Sequence, residues 1–263
     1  MPTIHPTAVV DSSAELGDDV LVGPHVFIDA NVAIGSGCVL MHSAHIARWT
    51  TLGGNNRVFP GAVIGQEPQD LGYSGEESRT VVGSGNTFRE GVSVHRGNRA
   101  GTSTVIGDHN YLMVNSHVAH NCILDNHIIL VNGALLAGHV EVGERAIISG
   151  NCQIHQFVRI GAYAMMRGGS GANKDVPPFC INDGLSWLRS INAVGLKRNG
   201  FDPRRIRAIK EAFKTIFRSE MKLVEALQKV EEEQEATEEV RQLIDFIRTS
   251  RRGVGSGRGS GRD

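Results

Sequence analysis

An apolar residue recurs at every sixth position through the first two thirds of this chain. The step of six is unbroken over positions 4–64, and it returns in the same phase over positions 82–94 and 106–166. An α-helix is excluded, because its apolar face recurs about every 3.6 residues, and the spacing is too regular for a β-sandwich. The period therefore predicts a mainly β solenoid in which each hexad supplies one short strand and one turn.

Three hexads suit the three sides of a triangular prism, so about 18 residues form one coil. A small or β-branched residue stands two positions before most of the apolar sites, as at Ala8 and Cys38, and Gly or Asp often follows them. Strands spaced by about 4.8 Å give a prism on the order of 40 Å long. The repeat by itself does not determine the handedness of the coil.

Two segments interrupt the repeat without changing its phase, at residues 65–81 and 95–105. Their six-residue grid positions hold Asp70, Glu76 and Ala100, which do not fill an apolar core. We expect both segments to protrude as loops, and long loops on a rigid scaffold often carry function.

The repeat is predicted to end by residue 190, and a different pattern follows. Asp202 before Pro203 predicts a helix start, and apolar stripes from Ile206 to Ile247 predict helices over residues 191–250. The tail, residues 251–263, is rich in Gly, Ser and Arg and is predicted to be disordered.

Composition excludes several functional classes. The 27 basic and 28 acidic residues leave a net charge of -1, so no overall charge favours nucleic acid. No apolar run is long enough for a signal peptide or a membrane span. Cys38, Cys122, Cys152 and Cys180 lack paired spacing, which predicts reduced core cysteines and a cytoplasmic location.

The best candidates for chemistry are two histidines that flank an inward valine, in His117-Val-Ala-His120. An imidazole has an unperturbed pKa of about 6.5, which suits general base catalysis. We expect His120 to remove a hydroxyl proton as that oxygen attacks an activated acyl carbon. The backbone N–H of Gly138 is a candidate donor to the oxyanion.

His139 and His155 follow His120 at offsets close to one coil each, so we expect all three side chains to form one stripe along the prism axis. A substrate cleft is the favoured interpretation of that stripe. A zinc site is an alternative, although the offsets do not converge on one ion. A non-catalytic scaffold is the last alternative, since it requires neither His120 nor the loops.

Several motifs, taken in order, identify a family resemblance that extends to about residue 250. The chain resembles the bacterial UDP-N-acetylglucosamine acyltransferases through the hexads, His117-Val-Ala-His120, Leu136-Ala-Gly-His139-Val, His155-Gln-Phe, Asp175-Val-Pro-Pro, and Gly195-Leu-Lys-Arg198 before Gly200-Phe, with Gln69-Asp70-Leu in the first loop.

The resemblance implies a left-handed parallel β-helix, a helical C-terminal domain and a homotrimer with active sites between subunits. It also implies transfer of an (R)-3-hydroxyacyl group from acyl carrier protein to the sugar 3-position in lipid A biosynthesis. No cofactor or metal is implied beyond the phosphopantetheine of the carrier protein.

Residue roles also follow from the resemblance alone. By motif, His120 matches the base and Gly138 the oxyanion donor. The substrate-binding matches are Gln69, Asp70 and His117 toward the sugar, His139, His155 and Gln156 along the acyl or pantetheine groove, Gly168 as chain-length ruler, and Asn192 and Arg198 toward the nucleotide.

Four positions depart from the family pattern. Gly72 replaces a Lys, Val194 a Glu and Asn199 an Arg, and Asn121 replaces the Asp that often follows the histidine. Charge-assisted hydrogen bonds contribute about 1.5–3 kcal/mol each. A related carrier-protein-dependent enzyme with another acceptor, such as a 3-amino sugar nucleotide, is therefore an alternative.

Overall fold

The computed structural model describes residues 1–233 and 237–257, and short strands with tight turns account for most of them. In chain order the strands are β1 (Thr3–Ile4), β2 (Val9–Val10), β3 (Glu15–Leu16), β4 (Leu21–Val22), β5 (Phe27–Ile28), β6 (Ala33–Ile34), β7 (Val39–Leu40), β8 (His45–Ile46), β9 (Thr50–Leu52), β10 (Arg57–Val58), β11 (Val63–Gln66), β12 (Arg79–Val82), β13 (Thr87–Phe88), β14 (Ser93–His95), β15 (Ser103–Ile106), β16 (Tyr111–Leu112), β17 (His117–Val118), β18 (Ile123–Leu124), β19 (Ile129–Leu130), β20 (Leu135–Leu136), β21 (Glu141–Val142), β22 (Ile147–Ile148), β23 (Gln153–Ile154), β24 (Arg159–Ile160), β25 (Met165–Met166), β26 (Gly171–Ala172), β27 (Cys180–Asn182) and β28 (Leu188–Ile191).

These strands form three sheets, and each coil contributes one strand to each sheet. The first sheet has the order β1-β4-β7-β10-β13-β16-β19-β22-β25-β27-β28, the second β2-β5-β8-β11-β14-β17-β20-β23-β26, and the third β3-β6-β9-β12-β15-β18-β21-β24. Pairing is parallel except between β27 and β28, which are antiparallel and close the prism. The three sheets therefore form the parallel β-helix that the hexads predict.

The register explains the period. Val118 pairs with Leu136, and Leu136 pairs with Ile154, so each coil advances by three hexads. The second residue of every two-residue strand from β4 to β26 points inward and is buried, and together these residues form one continuous apolar core. Ile4 of the first coil is more exposed because no coil lies before it.

The two interruptions are shorter than predicted, at residues 67–78 and 96–102. Gly65, Gln66 and 79–81 belong to strands, as do His95 and 103–105, because the sheets extend past the hexad grid. Arg96 holds the first loop against the prism. It is buried, donates to Gly65 O (3.1 Å) and Tyr73 Oη (3.0 Å), and lies over the Trp49 ring.

Within the described residues, four helices follow the prism, at α1 (Ala193–Arg198), α2 (Pro203–Arg218), α3 (Leu223–Glu233) and α4 (Glu238–Arg248). Asp202 caps α2 as predicted, accepting the N–H groups of Arg204 and Arg205 at 2.9 and 3.0 Å. The predicted stripe in α2 is buried through Ile209, Phe213 and Ile216. No helix in the ranges given above is long and apolar enough to cross a membrane.

The prediction of disorder was wrong for the start of the tail. Val254 bridges to Asp175 and Ser256 to Trp187, so this segment lies against the end of the prism. Its Gly and Ser content suggested flexibility, but the backbone finds hydrogen-bond partners that composition does not reveal. Residues 258–263 lie outside the described part.

The four cysteines are free and buried, as expected.

Candidate functional site

A cleft of about 540 Å³ runs along the outer face of the second sheet, from β17 to β26. It is lined by Gln69, His95, His117, Ala119, His120, Leu135, Leu136, Ala137, Gly138, Gln153, Ile154, His155, Gln156, Gly171, Ala172, Asn173 and Leu185. Histidines cluster at the β17 end, and small or apolar residues line the opposite end. The cleft can therefore hold an elongated, partly apolar molecule with a polar group near His120.

His120 lies in the turn between β17 and β18 and is only 6% exposed. Its Nδ1 lies 2.9 Å from the side-chain oxygen of Asn121. The backbone N–H of Asn98 donates to the same atom at 3.1 Å, which fixes the orientation of the Asn121 amide with its oxygen toward both groups. Because this oxygen can only accept, His120 Nδ1 carries the proton. The lone pair is then on Nε2, which has no hydrogen-bond partner among the described residues.

Gly138 occupies the position of His120 one coil later. A Cβ on Gly138 would lie 2.5 Å from Cε1 and 2.6 Å from Nε2 of the imidazole, so only glycine leaves room for this ring. Within the described chain no acceptor takes the Gly138 N–H. A free backbone donor beside an imidazole lone pair is an arrangement that can stabilise an oxyanion as a proton is removed.

The predicted stripe of three histidines is only partly correct. The rings of His120 and His139 are 5.3 Å apart, but Phe157, rather than His155, stacks on His139 at 4.6 Å. Because each coil spans three hexads, Asn121, His139 and Phe157 share one left-handed turn position, with φ of 60°, 59° and 63°. His155 lies slightly earlier in its coil, on the cleft wall beside Gln156.

His117 forms a second histidine pair, with His95, at 5.1 Å between ring centroids. Burial, with the nearby His95, lowers the pKa of His117 to about 4, so it is neutral near pH 7. Its Nδ1 hydrogen-bonds Ser93 Oγ at 2.8 Å, while His95 Nδ1 donates to the carbonyl of Glu67. This pair contributes neutral polar groups to the cleft.

Asp70 is held at the edge of the site by hydrogen bonds. Asn98 Nδ2 donates to one carboxylate oxygen at 2.6 Å, and the Gly72 N–H donates to the other at 2.9 Å. These two bonds, with Asn98 first, keep the pKa of Asp70 below its usual value. Gln69 lies beside it on the cleft lining.

Five predicted residues do not line the cleft in the single chain. Asp70 and His139 lie next to it, beside Gln69 and His120, and the other three lie farther away. Gly168 is exposed in the turn between β25 and β26, where the first and second sheets meet. Arg198 is exposed at the end of α1. Asn192 is buried, and its side chain caps α1 at Gly195 N (3.1 Å) and donates to Tyr163 O (3.0 Å).

The sequence did not single out His95, Asn98 or Thr104 as site residues. His95 lines the cleft, and Thr104 Oγ1 donates to His95 O (2.6 Å) while accepting the Asn121 N–H (2.8 Å). The available signal was the interruption at 95–105, which indicated a functional loop but not which side chains face His120.

No group of three or more His, Cys, Asp or Glu residues is arranged to hold a metal ion in residues 1–233 and 237–257.

The pKa of His139 is lowered from its ordinary value, mainly by burial and also by the nearby His120.

Comparison with known proteins connects this geometry to one family. The family model described as "Udp N-acetylglucosamine O-acyltransferase; Domain 2" matches residues 175–255. A curated relative from Halorhodospira halophila, named acyl-[acyl-carrier-protein]–UDP-N-acetylglucosamine O-acyltransferase, is 44% identical over 97% of this chain and 99% of its own length. A relative of the same name from Syntrophobacter fumaroxidans is 43% identical over 95% and 98%.

Solved structures of the same kind superpose closely. The UDP-N-acetylglucosamine acyltransferase of Bacteroides fragilis matches with a TM-score of 0.93 and 40% identity, over 96% of this chain and 99% of that one. The Arabidopsis enzyme matches with a TM-score of 0.87 and 34% identity, over 97% and 100%. The expected fold class, a left-handed parallel β-helix followed by a helical C-terminal part, is confirmed.

Proposed function

Because this chain belongs to the UDP-N-acetylglucosamine O-acyltransferase family, we propose that it moves an (R)-3-hydroxyacyl group from acyl carrier protein to the 3-hydroxyl of UDP-N-acetylglucosamine. The reaction belongs to lipid A biosynthesis. The names of near full-length relatives support the carrier protein and the sugar nucleotide as the two substrates.

The observation that best supports this reaction is the state of His120 at the wall of the cleft. Its Nδ1 donates to Asn121, and its Nε2 is free and lies next to Gly138, whose N–H is also free. In this tautomer Nε2 is the basic atom, and a buried ring has few competing orientations. Both features favour His120 as the general base.

The step balances with these groups alone. His120 Nε2 takes the proton of the sugar 3-hydroxyl, and that oxygen forms a bond to the thioester carbonyl carbon. The Gly138 N–H stabilises the oxyanion. Its collapse breaks the carbon–sulfur bond, and the imidazolium returns the proton to the phosphopantetheine sulfur.

The rest of the cleft supports an extended donor. Leu135, Gly171 and Leu185 give it an exposed, largely apolar wall toward the β26 end, which suits an acyl chain. His155 and Gln156 add polar groups on the same wall. We assign His139, His155 and Gln156 to the acyl or pantetheine groove, with Asp70, Gln69 and His117 contacting the sugar.

A homotrimer completes the proposal. Asn192, Arg198 and Gly168 lie outside the cleft of their own chain, so their assigned nucleotide and chain-length roles require a neighbouring subunit. The outward faces of the first strands expose Leu21 and Phe27, which suits burial against another copy.

Four free cysteines fit a reducing compartment and support a cytoplasmic location.

The acceptor is the part of the proposal that the four departures affect most. Asn199 bonds Arg145 (3.0 Å) and Gly195 O (2.8 Å), and Val194 is exposed, so neither position repeats the charge of the family pattern. Those departures are the reason to test a 3-amino sugar nucleotide. The names of the relatives favour the 3-hydroxyl acceptor.

The test is an acyl-transfer assay. Purified protein is incubated with (R)-3-hydroxyacyl carrier proteins of several chain lengths, together with UDP-N-acetylglucosamine or its 3-amino analogue, and acylated sugar is detected by mass. We expect an O-acylated product at one preferred length. Product from the amino sugar only would overturn the acceptor, and light scattering of the same sample tests the trimer.

A further inference from the structure

Asn98, in the second loop, joins the two halves of the site. Its side-chain Nδ2 donates to Asp70 at 2.6 Å, and its backbone N–H donates to the side-chain oxygen of Asn121 at 3.1 Å. Asn98 is buried, at 9% exposed, whereas Asp70 is only partly buried. A short polar residue is thus placed between the carboxylate of one loop and the amide that orients His120.

The path from Asp70 to His120 consists only of direct hydrogen bonds. Beyond Asn98, the Asn121 oxygen accepts the His120 Nδ1 proton at 2.9 Å, and the Asn121 N–H is fixed by Thr104 at 2.8 Å. Displacement of Asn98 would therefore change the position of Asp70 relative to the imidazole.

Within the described residues, the Asp70 carboxylate accepts no other hydrogen bond from outside its own loop. Its second oxygen accepts a bond from Gly72, which belongs to the same loop. Its neighbours Gln69 and Leu71 are exposed. A charge-assisted bond from a buried amide is then the contact that restricts this carboxylate.

We propose that Asn98 is a positioning residue that holds the Asp70 carboxylate and its loop in register with His120 for binding of the acceptor sugar. The inference rests on the proposed function, because it takes Asp70 as a sugar contact and His120 as the base. Asn98 itself touches neither the reacting hydroxyl nor the thioester.

The geometry allows a clean variant. Asn98→Ala removes the bond to Asp70 but keeps the backbone N–H that supports Asn121. We expect kcat/KM for UDP-N-acetylglucosamine to fall about tenfold, mainly through KM for the sugar nucleotide, because a bond to a charged group is lost. KM for the acyl carrier protein should not change. Asn132→Ala, at an exposed turn outside the cleft, is the matched control.

A double-mutant cycle tests whether Asn98 acts through Asp70. If it does, Asn98→Ala should cause little further loss in an Asp70→Ala background. Full additivity of the two losses would overturn the positioning role.

Asn98→Asp adds a pH readout that a purely structural role would not produce. In this variant the new carboxylate repels Asp70 when both are ionised. At lower pH one proton is shared between the two carboxylates, which restores a hydrogen-bond donor to Asp70. The activity of Asn98→Asp relative to the unmodified protein should rise as pH falls, while the Asn98→Ala ratio stays flat. A flat ratio for both variants contradicts the proposal.

Amide hydrogen exchange separates this inference from the proposed function. Asn98→Ala should speed exchange at the Gly72 N–H, which is held by Asp70, and Asn132→Ala should not. Unchanged exchange overturns the inference whatever the enzyme's substrate. If the unmodified protein acylates no sugar nucleotide, the proposed function fails, and faster exchange still establishes the hold on Asp70.

Discussion

Two corners of the same prism use polar side chains in opposite ways. At the asparagine corner, between the third and first sheets, Asn56 Oδ1 accepts the Asn86 N–H (2.8 Å), Asn86 Oδ1 accepts the Asn110 N–H (2.8 Å), and Asn110 Oδ1 accepts the Ile128 N–H (2.7 Å). At the cleft corner, between the second and third sheets, His120 Nε2 and the Gly138 N–H stay unbonded within the described chain.

The difference shows how one repeat supports both stability and chemistry. At the asparagine corner each side-chain oxygen takes a backbone donor of the next coil, so buried polar groups hold neighbouring coils together. At the cleft corner glycine replaces the side chain, and a donor and a lone pair remain for a ligand. Substitutions at the first corner should therefore affect folding, and those at the second should affect turnover.

The largest expected effect is at His120. His120→Ala should lower kcat by about 10²–10⁴, because it removes the base, while the free energy of unfolding changes by roughly 1 kcal/mol for one lost hydrogen bond. Turnover and urea unfolding measure the two quantities. Undiminished turnover would remove His120 as the base, and a large loss of stability would break the contrast between the corners.

Gly138→Ala should lower kcat by about 10², because its Cβ would displace the imidazole and a shift of about 1 Å has that effect. Gly138 does not have a positive φ, so the backbone itself tolerates alanine. Gly150→Ala is the control, since its nearest neighbour, Asn132 O, lies 3.4 Å from the added Cβ. Equal activity of the two variants would contradict the close approach at His120.

Asn86→Ala tests the asparagine corner. It leaves the Asn110 N–H and the Gly107 carbonyl without their side-chain partner. We expect the free energy of unfolding to fall by about 2–4 kcal/mol, since buried groups left unsatisfied each cost about 1–3 kcal/mol. At a temperature where the variant is folded, kcat should be unchanged. A variant as stable as Asn132→Ala would show that the ladder contributes little.

The smallest effect is a pH dependence of stability that arises at His117, on strand β17 before the cleft corner. His117 has a pKa of about 4 in the folded chain, against an ordinary value of 6.5, so the unfolded chain binds the proton first. The free energy of unfolding should therefore fall as pH drops from about 6.5 to about 4, by about 1–2 kcal/mol after allowance for partial exposure.

His117→Gln should remove that contribution, so the variant should lose less stability than the unmodified protein across this pH window. His42→Gln, at an exposed position, is the control and should follow the unmodified protein. Urea unfolding at several pH values measures all three proteins. Parallel curves for His117→Gln and the unmodified protein would mean that His117 is not buried as a neutral group.

Much of the scaffold could be predicted because its determinants are local and repeated. An apolar residue every six positions specifies strand, turn and inward face together, and Asp202-Pro203 specifies a helix start. The stack of His139 on Phe157 does not follow from the spacing to His120, because His120 and His139 occupy different positions in their coils. The shared turn position begins at Asn121, and only the register between coils reveals it.

The sequence by itself determined the coil and the three longer helices after it, since both depend on periodic apolar positions. It also predicted His120 and Gly138 as site residues, which the assays above test. The tertiary structure decided which loop residues meet His120. Asp70, Asn98 and Asn121 lie far apart along the chain, and loops have no period from which their contacts can be read. The tail was decided in the same way, because its backbone pairs with strands of the finished prism.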